Sequence, residues 1–258
     1  MRADSDAPAE GDAAADVDAP TEGDAATDRD ATSSRDGPEA ALDRARAAFR
    51  AGDPVCVHDF ADREGETDLI YPAAAVTPAD VARMRNDAGG LICVAVDDQV
   101  ANAFELPFLA DALDHPAVDD NPEYDDRSSF SLPVNHRDTF TGITDEDRAL
   151  TIAELAAAAG AVASDPDAYT ADDFAAEFRA PGHVHVLRGA PDLLADRAGH
   201  TELGLALAAD VGAAPAVVVC EMLDDETGEA LSPADAEAYA ERHGIPYVEG
   251  ATLIEQLT

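Results

Sequence analysis

Two short segments, residues 91–96 and 216–220, are almost entirely apolar, and they constrain the fold more than any other feature of the chain. A strand with one face in water alternates apolar and polar residues, whereas a strand covered on both faces is apolar throughout. Segments with helical spacing of apolar residues lie between these strands. We therefore predict an α+β (mixed α/β) fold, a single domain with a mixed sheet covered by helices on both faces.

Helix start signals surround the predicted strands. Pro38 suits a first helical turn, Thr77, Thr144 and Thr170 are predicted N-caps, and a further helix is expected to start near Thr201. Residues 180–182 are predicted to form a turn before a strand at 183–187. Residues 111–127, which are acidic and interrupted by proline, are expected to form a long surface loop.

The first 37 residues are predicted to be a disordered acidic tail, and residues 38–258 the folded domain. The tail contains a direct repeat, DAPAEGDAA at 6–14 and DAPTEGDAA at 18–26. It has almost no large apolar side chains, so it cannot bury enough surface to offset the entropy lost on ordering.

The chain carries a large excess of negative charge. It has 55 acidic and 16 basic residues, all of the latter Arg, for a formal net charge of −39. Such a surface repels nucleic acid and anionic membranes, and its self-repulsion is relieved in concentrated salt, which favours a halophilic protein. The alternative is an acidic mimic of DNA that binds basic partners, although the acidity is spread along the chain rather than held in one block.

The cysteines and the apolar segments indicate the compartment. Cys56, Cys93 and Cys220 are far apart, lie in apolar runs and form no CxxC pair, which indicates buried thiols rather than a zinc site or a disulfide framework. We find no 18-residue apolar stretch and no apolar region of a signal peptide at the start. The sequence therefore predicts a soluble, cytoplasmic protein.

The segment DREGETD at 62–68 concentrates charge between two apolar runs. If it is extended, Glu64, Glu66 and Asp68 project to the same side and repel one another unless a cation holds them. Carboxylate oxygens suit a hard cation such as Mg²⁺ better than Zn²⁺. The alternatives are a solvated acidic loop and a site for a divalent metal and a polyol.

Three further features are candidates for chemistry. Residues 196–202, DRAGHTE, place Arg197 and His200 at the start of a helix, where an anion such as phosphate would be attracted; the alternative is an ordinary helix cap by Thr201. His183 follows a predicted turn and could act in acid–base chemistry or be structural. Glu221 ends a buried strand and either faces solvent or serves in proton transfer.

Taken together, these motifs resemble one family, the 3,4-dihydroxy-2-butanone-4-phosphate synthases of riboflavin biosynthesis. The matching segments are DREGETD at 62–68, FTGITDEDRALTI at 140–152, PGH at 181–183, RAGHTE at 197–202 and Cys220-Glu221. They occur in the same order as in the family, and the resemblance extends over nearly all of residues 40–257.

The resemblance implies an activity and a set of site residues. The activity is conversion of D-ribulose 5-phosphate to 3,4-dihydroxy-2-butanone 4-phosphate and formate, by metal-assisted enolisation, skeletal rearrangement and loss of C4. It implies Mg²⁺ or Mn²⁺, two ions per site, held by Glu64 and His200, no organic cofactor, and catalysis by His183 and Glu221. It implies substrate binding by a larger set: Arg63, Glu64, Asp68, Arg197, Ala198, Gly199, His200, Thr201 and Glu221.

The resemblance also implies a homodimer with a shared active site, in the stand-alone form of archaeal members. One departure is that residues 191–196 lack the Gly-Gly turn common before the family's RxGHT loop. The alternative function is a catalytically inactive metal- or nucleotide-binding module on a related fold, such as that of the threonylcarbamoyl-AMP synthases. Those proteins grip a triphosphate with basic residues, whereas this chain has no Lys and few clustered Arg.

Overall fold

A computed structural model describes residues 37–60, 63–118 and 127–258, which fold around a seven-stranded sheet. Across the sheet the order is β4-β5-β3-β6-β2-β1-β7; β3 is parallel to β5 and β1 to β7, and the other neighbours are antiparallel. The predicted mixed sheet is confirmed. The strands are β1 (Val55–His58), β2 (Thr67–Pro72), β3 (Cys93–Val96), β4 (Phe130–His136), β5 (Phe178–Arg188), β6 (Ala216–Val219) and β7 (Tyr247–Glu249).

Helices cover both faces of this sheet. Within the described residues, no helix combines the length and the apolar character that a membrane crossing requires. The predicted acidic tail, except for Gly37, lies outside the described residues. The α-helices are α1 (Pro38–Ala51), α2 (Pro78–Arg83), α3 (Asp98–Ala103), α4 (Leu109–Ala112), α5 (Asp145–Ser164), α6 (Ala171–Glu177), α7 (His200–Val211), α8 (Pro233–His243) and α9 (Gly250–Leu257).

The central strands β3 and β6 send alternate side chains into two separate cores. Val94 and Val218 belong to one core, which α2, α5 and α8 complete. Ala95 and Val217 belong to the other, beneath α1, α7 and α9. All four side chains are fully buried. The apolar runs are therefore strands covered on both faces, as their composition predicts.

Of the three helices that cover the second core, α7 has the most buried residues. Its N-cap is Gly199, and Thr201 is its second residue, so the alternative of a helix cap by Thr201 is wrong. Leu203, Leu205 and Leu207 are at most 2% exposed. Because these side chains lock the helix onto the sheet, they also fix the position of its first residue, His200.

The turn predicted at residues 180–182 is wrong, because β5 runs through it. The strand pairs with β4 on both sides: Arg179 lies opposite Asn135, and Val184 lies opposite Val134. Residues 180–183 therefore form a bulge of four residues opposite two adjacent positions of β4. Because the strand pairs with β4 before and after this segment, the segment remains part of β5. Pro181 and Gly182 alone do not indicate that pairing.

The long loop predicted at 111–127 is only partly irregular. Helix α4 covers its first two residues, Asp111 and Ala112, and residues 119–126 lie outside the described part of the chain. The predicted helices after Pro38, Thr77, Thr144 and Thr170 are all present.

Leu203 provides a test of how far α7 depends on its burial. We expect Leu203→Ala to lower the free energy of unfolding by about 2–5 kcal/mol, because it removes a fully buried side chain and leaves a cavity. The measurement is denaturant unfolding at a fixed high salt concentration. The matched control is Leu113→Ala, at a side chain that is 49% exposed, with an expected change below about 0.5 kcal/mol. Equal losses in the two variants would contradict the packing described for α7.

Candidate active site

The candidate site lies where β2 and β6 meet the start of α7. Asp68 of β2 forms an antiparallel bridge with Glu221, the second residue after β6. Side chains two residues apart along a strand point to the same face of the sheet. Asp68 lies two residues before Ile70, and Glu221 lies two residues after Val219, and both of these apolar residues belong to the second core. Both carboxylates therefore lie on the face of the sheet that α7 covers.

Asp59 organises the loop that precedes β2. Its carboxylate accepts hydrogen bonds from the backbone N–H groups of Glu64 (3.3 Å) and Glu66 (3.0 Å) and from Arg63 Nη1 (3.3 Å). It is only 3% exposed. Gly65 has φ 69°, in the left-handed region, and turns the chain between the two acids. The segment before Thr67 is therefore a folded loop rather than an extended strand; Asp62 lies outside the described residues.

Sequence reasoning missed Asp59. A signal was available, since Asp59 is a carboxylate placed directly after the buried strand β1, which is the same pattern that singled out Glu221. Glu66, another acid of the segment 62–68, is half-buried. Burial raises the pKa of Glu66, and repulsion from Glu64 and Glu221 adds to the rise.

His200 lies between two carboxylates of this cluster. Its Nδ1 is 3.4 Å from Glu64 Oε2 and 3.5 Å from Asp68 Oδ1. Burial would lower the pKa of His200, but the charge of Asp68 and the hydrogen bond to Glu64 outweigh it and raise that pKa. Burial also raises the pKa of Asp68, despite the opposing charge of His200. Both shifts report an excess of buried negative charge around one imidazole.

The Glu64 carboxyl responds differently to the same surroundings. Burial would raise its pKa, but the hydrogen bond from His200 and the charge of Arg63 outweigh burial and lower it. Arg63 Nη1 lies 3.1 Å from Glu64 Oε2. These two partners therefore favour the ionised form of Glu64.

The cluster fits a divalent cation. Asp59, Glu64 and His200 each offer one ligand atom, and these atoms lie within 4.8 Å of one another. Among the described residues, Asp68 Oδ1 and His200 Nε2 are buried and have no hydrogen-bond partner. Carboxylate oxygens and an imidazole nitrogen suit Mg²⁺ or Mn²⁺, and a bound cation would neutralise the excess negative charge.

Two guanidinium groups converge beside this cluster, over the N-cap of α7. A Cβ at Gly199 would collide with the guanidinium groups of both Arg63 and Arg197, so glycine is needed here for the close approach. Its φ of −89° is accessible to any residue. Arg197 Nη1 donates to Glu202 Oε2 (2.6 Å), and Glu202 is fully buried. The positive end of the α7 dipole and the two cations make this a suitable place for an anion.

Glu64, Asp68, His200 and Arg197 share one cleft of about 180 Å³. Glu221 lies in its wall, and its Oε2 accepts a hydrogen bond from the Leu91 N–H (2.8 Å), which orients the carboxylate. The residues that line the cleft are Glu64, Asp68, Cys93, Ser128, Ser129, Phe130, Leu187, Arg197, His200, Thr201, Val219 and Glu221. The structure thus brings together most of the predicted site residues from three distant segments.

His183 is the predicted site residue that lies elsewhere. It is exposed on the bulge of β5 and is not among the described residues that line the cleft. Because β3 separates β5 from β6, the backbones of the two strands run about 10 Å apart. The Asn135 side chain contacts His183 through both its backbone and its ring.

Comparisons with known proteins all point to one family. Residues 43–256 match the model of the 3,4-dihydroxy-2-butanone 4-phosphate synthase family. A curated protein of that name from Archaeoglobus fulgidus is 51% identical over 224 residues, which cover 83% of this chain and 92% of the relative.

Two solved structures extend the comparison to the fold. The structure of 3,4-dihydroxy-2-butanone 4-phosphate synthase from Candida albicans matches with a TM-score of 0.68 and 30% identity, over 84% of this chain and 97% of that one. A structure of the synthase in complex with two magnesium ions matches with a TM-score of 0.65 and 30% identity, over 83% and 94% of the two chains.

We expect Glu64→Gln and His200→Ala each to weaken Mn²⁺ binding at least roughly tenfold, since the first removes the charge of a ligand and the second removes a ligand atom. Electron paramagnetic resonance of free Mn²⁺ measures the affinity. Glu241→Gln, at an exposed residue of α8, is the matched control and should leave the affinity unchanged. Unchanged Mn²⁺ affinity in either site variant would exclude that residue as a ligand.

Proposed function

The chain belongs to the 3,4-dihydroxy-2-butanone 4-phosphate synthase family, and we propose that it converts D-ribulose 5-phosphate to 3,4-dihydroxy-2-butanone 4-phosphate and formate in riboflavin biosynthesis. One observation carries this proposal. The cleft joins an acidic cluster around His200 to the guanidinium group of Arg197 at the start of α7, and the guanidinium group of Arg63 lies beside Gly199. A sugar phosphate has the matching chemistry, with vicinal oxygens at one end and a dianion at the other.

Glu64 and His200 are the metal ligands in this proposal, and Asp59 supports the loop that carries Glu64. Bound Mg²⁺ or Mn²⁺ would supply a Lewis acid to the substrate oxygens. The proposal includes two ions per site, and the related synthase structure in complex with two magnesium ions supports that number. Asp68, buried beside His200, would accept hydrogen bonds from sugar hydroxyl groups. An inactive module on a related fold is not favoured, because the cleft contains Glu64, Asp68 and His200 together.

The phosphate end is assigned to the segment at the start of α7. Arg197 is held by buried Glu202, and Arg63 approaches it over Gly199. The backbone N–H groups of Ala198, Gly199, His200 and Thr201 lie at or before the first turn of the helix, where they lack partners within it. An anion at this end would meet two cations and N–H groups that have no partner within the helix.

Glu221 is the acid–base group on the chain's own side of the site. The reaction begins with proton removal next to a carbonyl, proceeds through a carbon shift, and ends with loss of C4 as formate, so protons must be taken up and returned. The Leu91 N–H fixes one oxygen of the Glu221 carboxylate. Cys93, Leu187 and Val219 form an apolar wall of the cleft that limits the access of water.

His183 is assigned to the site of a second copy in a homodimer. In its own chain it is exposed and lies outside the cleft. Near it are two exposed apolar side chains, Phe140 (93%) and Ile143 (52%), on either side of Gly142, which packs on Asn135. Burial of this apolar patch against a second copy would stabilise a dimer and carry His183 to the partner's cleft.

The cytoplasm is the proposed location. All three cysteines, Cys56, Cys93 and Cys220, are free and buried. Free thiols are typical of a reducing compartment.

The first prediction of this proposal is formate release. In concentrated salt with Mg²⁺, the protein should release formate from D-ribulose 5-phosphate, and Glu221→Gln should lower kcat by roughly a hundredfold or more. Formate dehydrogenase coupled to dye reduction measures the product. Glu249→Gln, at an exposed carboxylate, serves as the control variant. Formate production no higher than in a chelated sample would refute the enzymatic function.

The second prediction concerns the shared site. His183→Ala and Glu221→Gln should each be inactive alone, but an equal mixture that exchanges subunits should recover about a quarter of wild-type activity, since half of the dimers carry one intact site. Mixing after reversible subunit dissociation, followed by the formate assay, tests this. If His183 acted in the cleft of its own chain, no mixture of these two variants would regain activity.

A further inference from the structure

We propose that Asn135 is a positioning residue that holds the His183 ring as a hydrogen-bond donor through Nε2–H. The inference rests on the proposed function, in which His183 belongs to the active site. It goes further by assigning the tautomer of the ring, and hence what His183 can do there.

The bulge in β5 creates the need for Asn135. Residues 180–183 have no pairing positions on β4, so the backbone N–H of His183 lacks a ladder partner. Asn135 Oδ1 accepts a hydrogen bond from that N–H at 2.8 Å. A backbone N–H can only donate, so this contact fixes which end of the Asn135 amide faces it.

The fixed amide then determines the tautomer of the ring. Asn135 Nδ2 lies 3.1 Å from His183 Nδ1, whereas Oδ1 is 3.4 Å from that nitrogen and already accepts from the backbone. An amide NH₂ can only donate, so Nδ1 must accept and carries no proton. The proton of the neutral ring is therefore on Nε2, the nitrogen that faces away from Asn135.

The surroundings hold the Asn135 side chain in place. Its side chain belongs to a residue that is only 4% exposed. Gly142 has φ 87°, and a Cβ there would collide with the Asn135 amide. Likewise, a Cβ at Gly182 would collide with the backbone of Val134. Both loops are thus pressed against the residue that holds His183.

The tautomer decides the chemistry of the exposed nitrogen. An Nε2 that carries the proton cannot act as a general base, but it can donate a hydrogen bond to a substrate oxygen on which negative charge develops. The assignment therefore gives His183 the role of a neutral donor and leaves proton removal to a carboxylate such as Glu221.

The test is nitrogen–proton correlation NMR on the full-length protein labelled at histidine nitrogen. The His183 signals are identified by their loss in His183→Ala. In the wild type we expect the proton on Nε2. In Asn135→Asp, the carboxylate accepts from both the backbone N–H and the ring, so the proton should move to Nδ1. Formate release should then fall by roughly a hundredfold in kcat, with KM changed less than about threefold. Asn86→Asp, the same change at an exposed residue, is the control.

The outcomes separate this inference from the proposed function. A wild-type His183 with its proton on Nδ1 overturns the inference, even if Asn135→Asp does not fold. Full activity of Asn135→Asp with the proton on Nδ1, when His183→Ala is inactive, also overturns it. Full activity of His183→Ala would refute the role of His183 in catalysis, whereas the tautomer of the wild-type ring would still test the hold of Asn135.

Discussion

The carboxylates of the site repel one another, and the packing of the rest of the structure must hold them together against this repulsion. Asp59 and Asp68 are at most 3% exposed and lie with Glu64 around the single imidazole of His200. Such a cluster would spread apart in a flexible loop, because like charges in a partly buried site repel strongly. Here one acid is on a central strand, and the imidazole begins a helix whose leucines are locked into the core. Rigid packing thus maintains a charge arrangement that a bound cation would relieve.

Burial, rather than charge, distinguishes a few acids of the site from the many others. The chain has 55 acidic residues, and most of those in the described segments face water, where salt screens their repulsion. Asp59, Asp68 and Glu202 are buried, and each meets a specific partner: the loop N–H groups, His200 and Arg197, respectively. The exposed carboxylates therefore depend on water and salt, whereas the buried carboxylates depend on specific partners in the protein. Salt that stabilises the surface should affect the buried cluster much less.

The sequence predicts those features that depend on local pattern. The apolar runs identify β3 and β6 as strands covered on both faces, and the charged motifs identify half of the residues that line the cleft. It does not predict Asp59 as the organiser of its loop, because that role depends on backbone N–H groups that converge only after folding. Nor does Pro-Gly reveal a bulge within β5, since the pairing partner lies more than forty residues away in β4. Residues 191–196 lack the Gly-Gly turn, and within them Leu193 adopts φ 45°, a left-handed conformation that its residue type does not indicate.

Two halves of the site are supported in different ways, and this separates their stability from their function. The acid half rests on central strands and α7, so the packing that keeps the domain folded also sets the distances among its carboxylates. The His183 half of the proposed site lies on a bulge of β5 that is itself unpaired, next to β4 at the edge of the sheet, and it is held mainly by the amide of Asn135. A single side chain can therefore adjust the donor without disturbing the core. In a dimer that joins the two halves across an interface, the apolar patch around Gly142 would set the distance between donor and acid, because it packs on the residue that orients the donor.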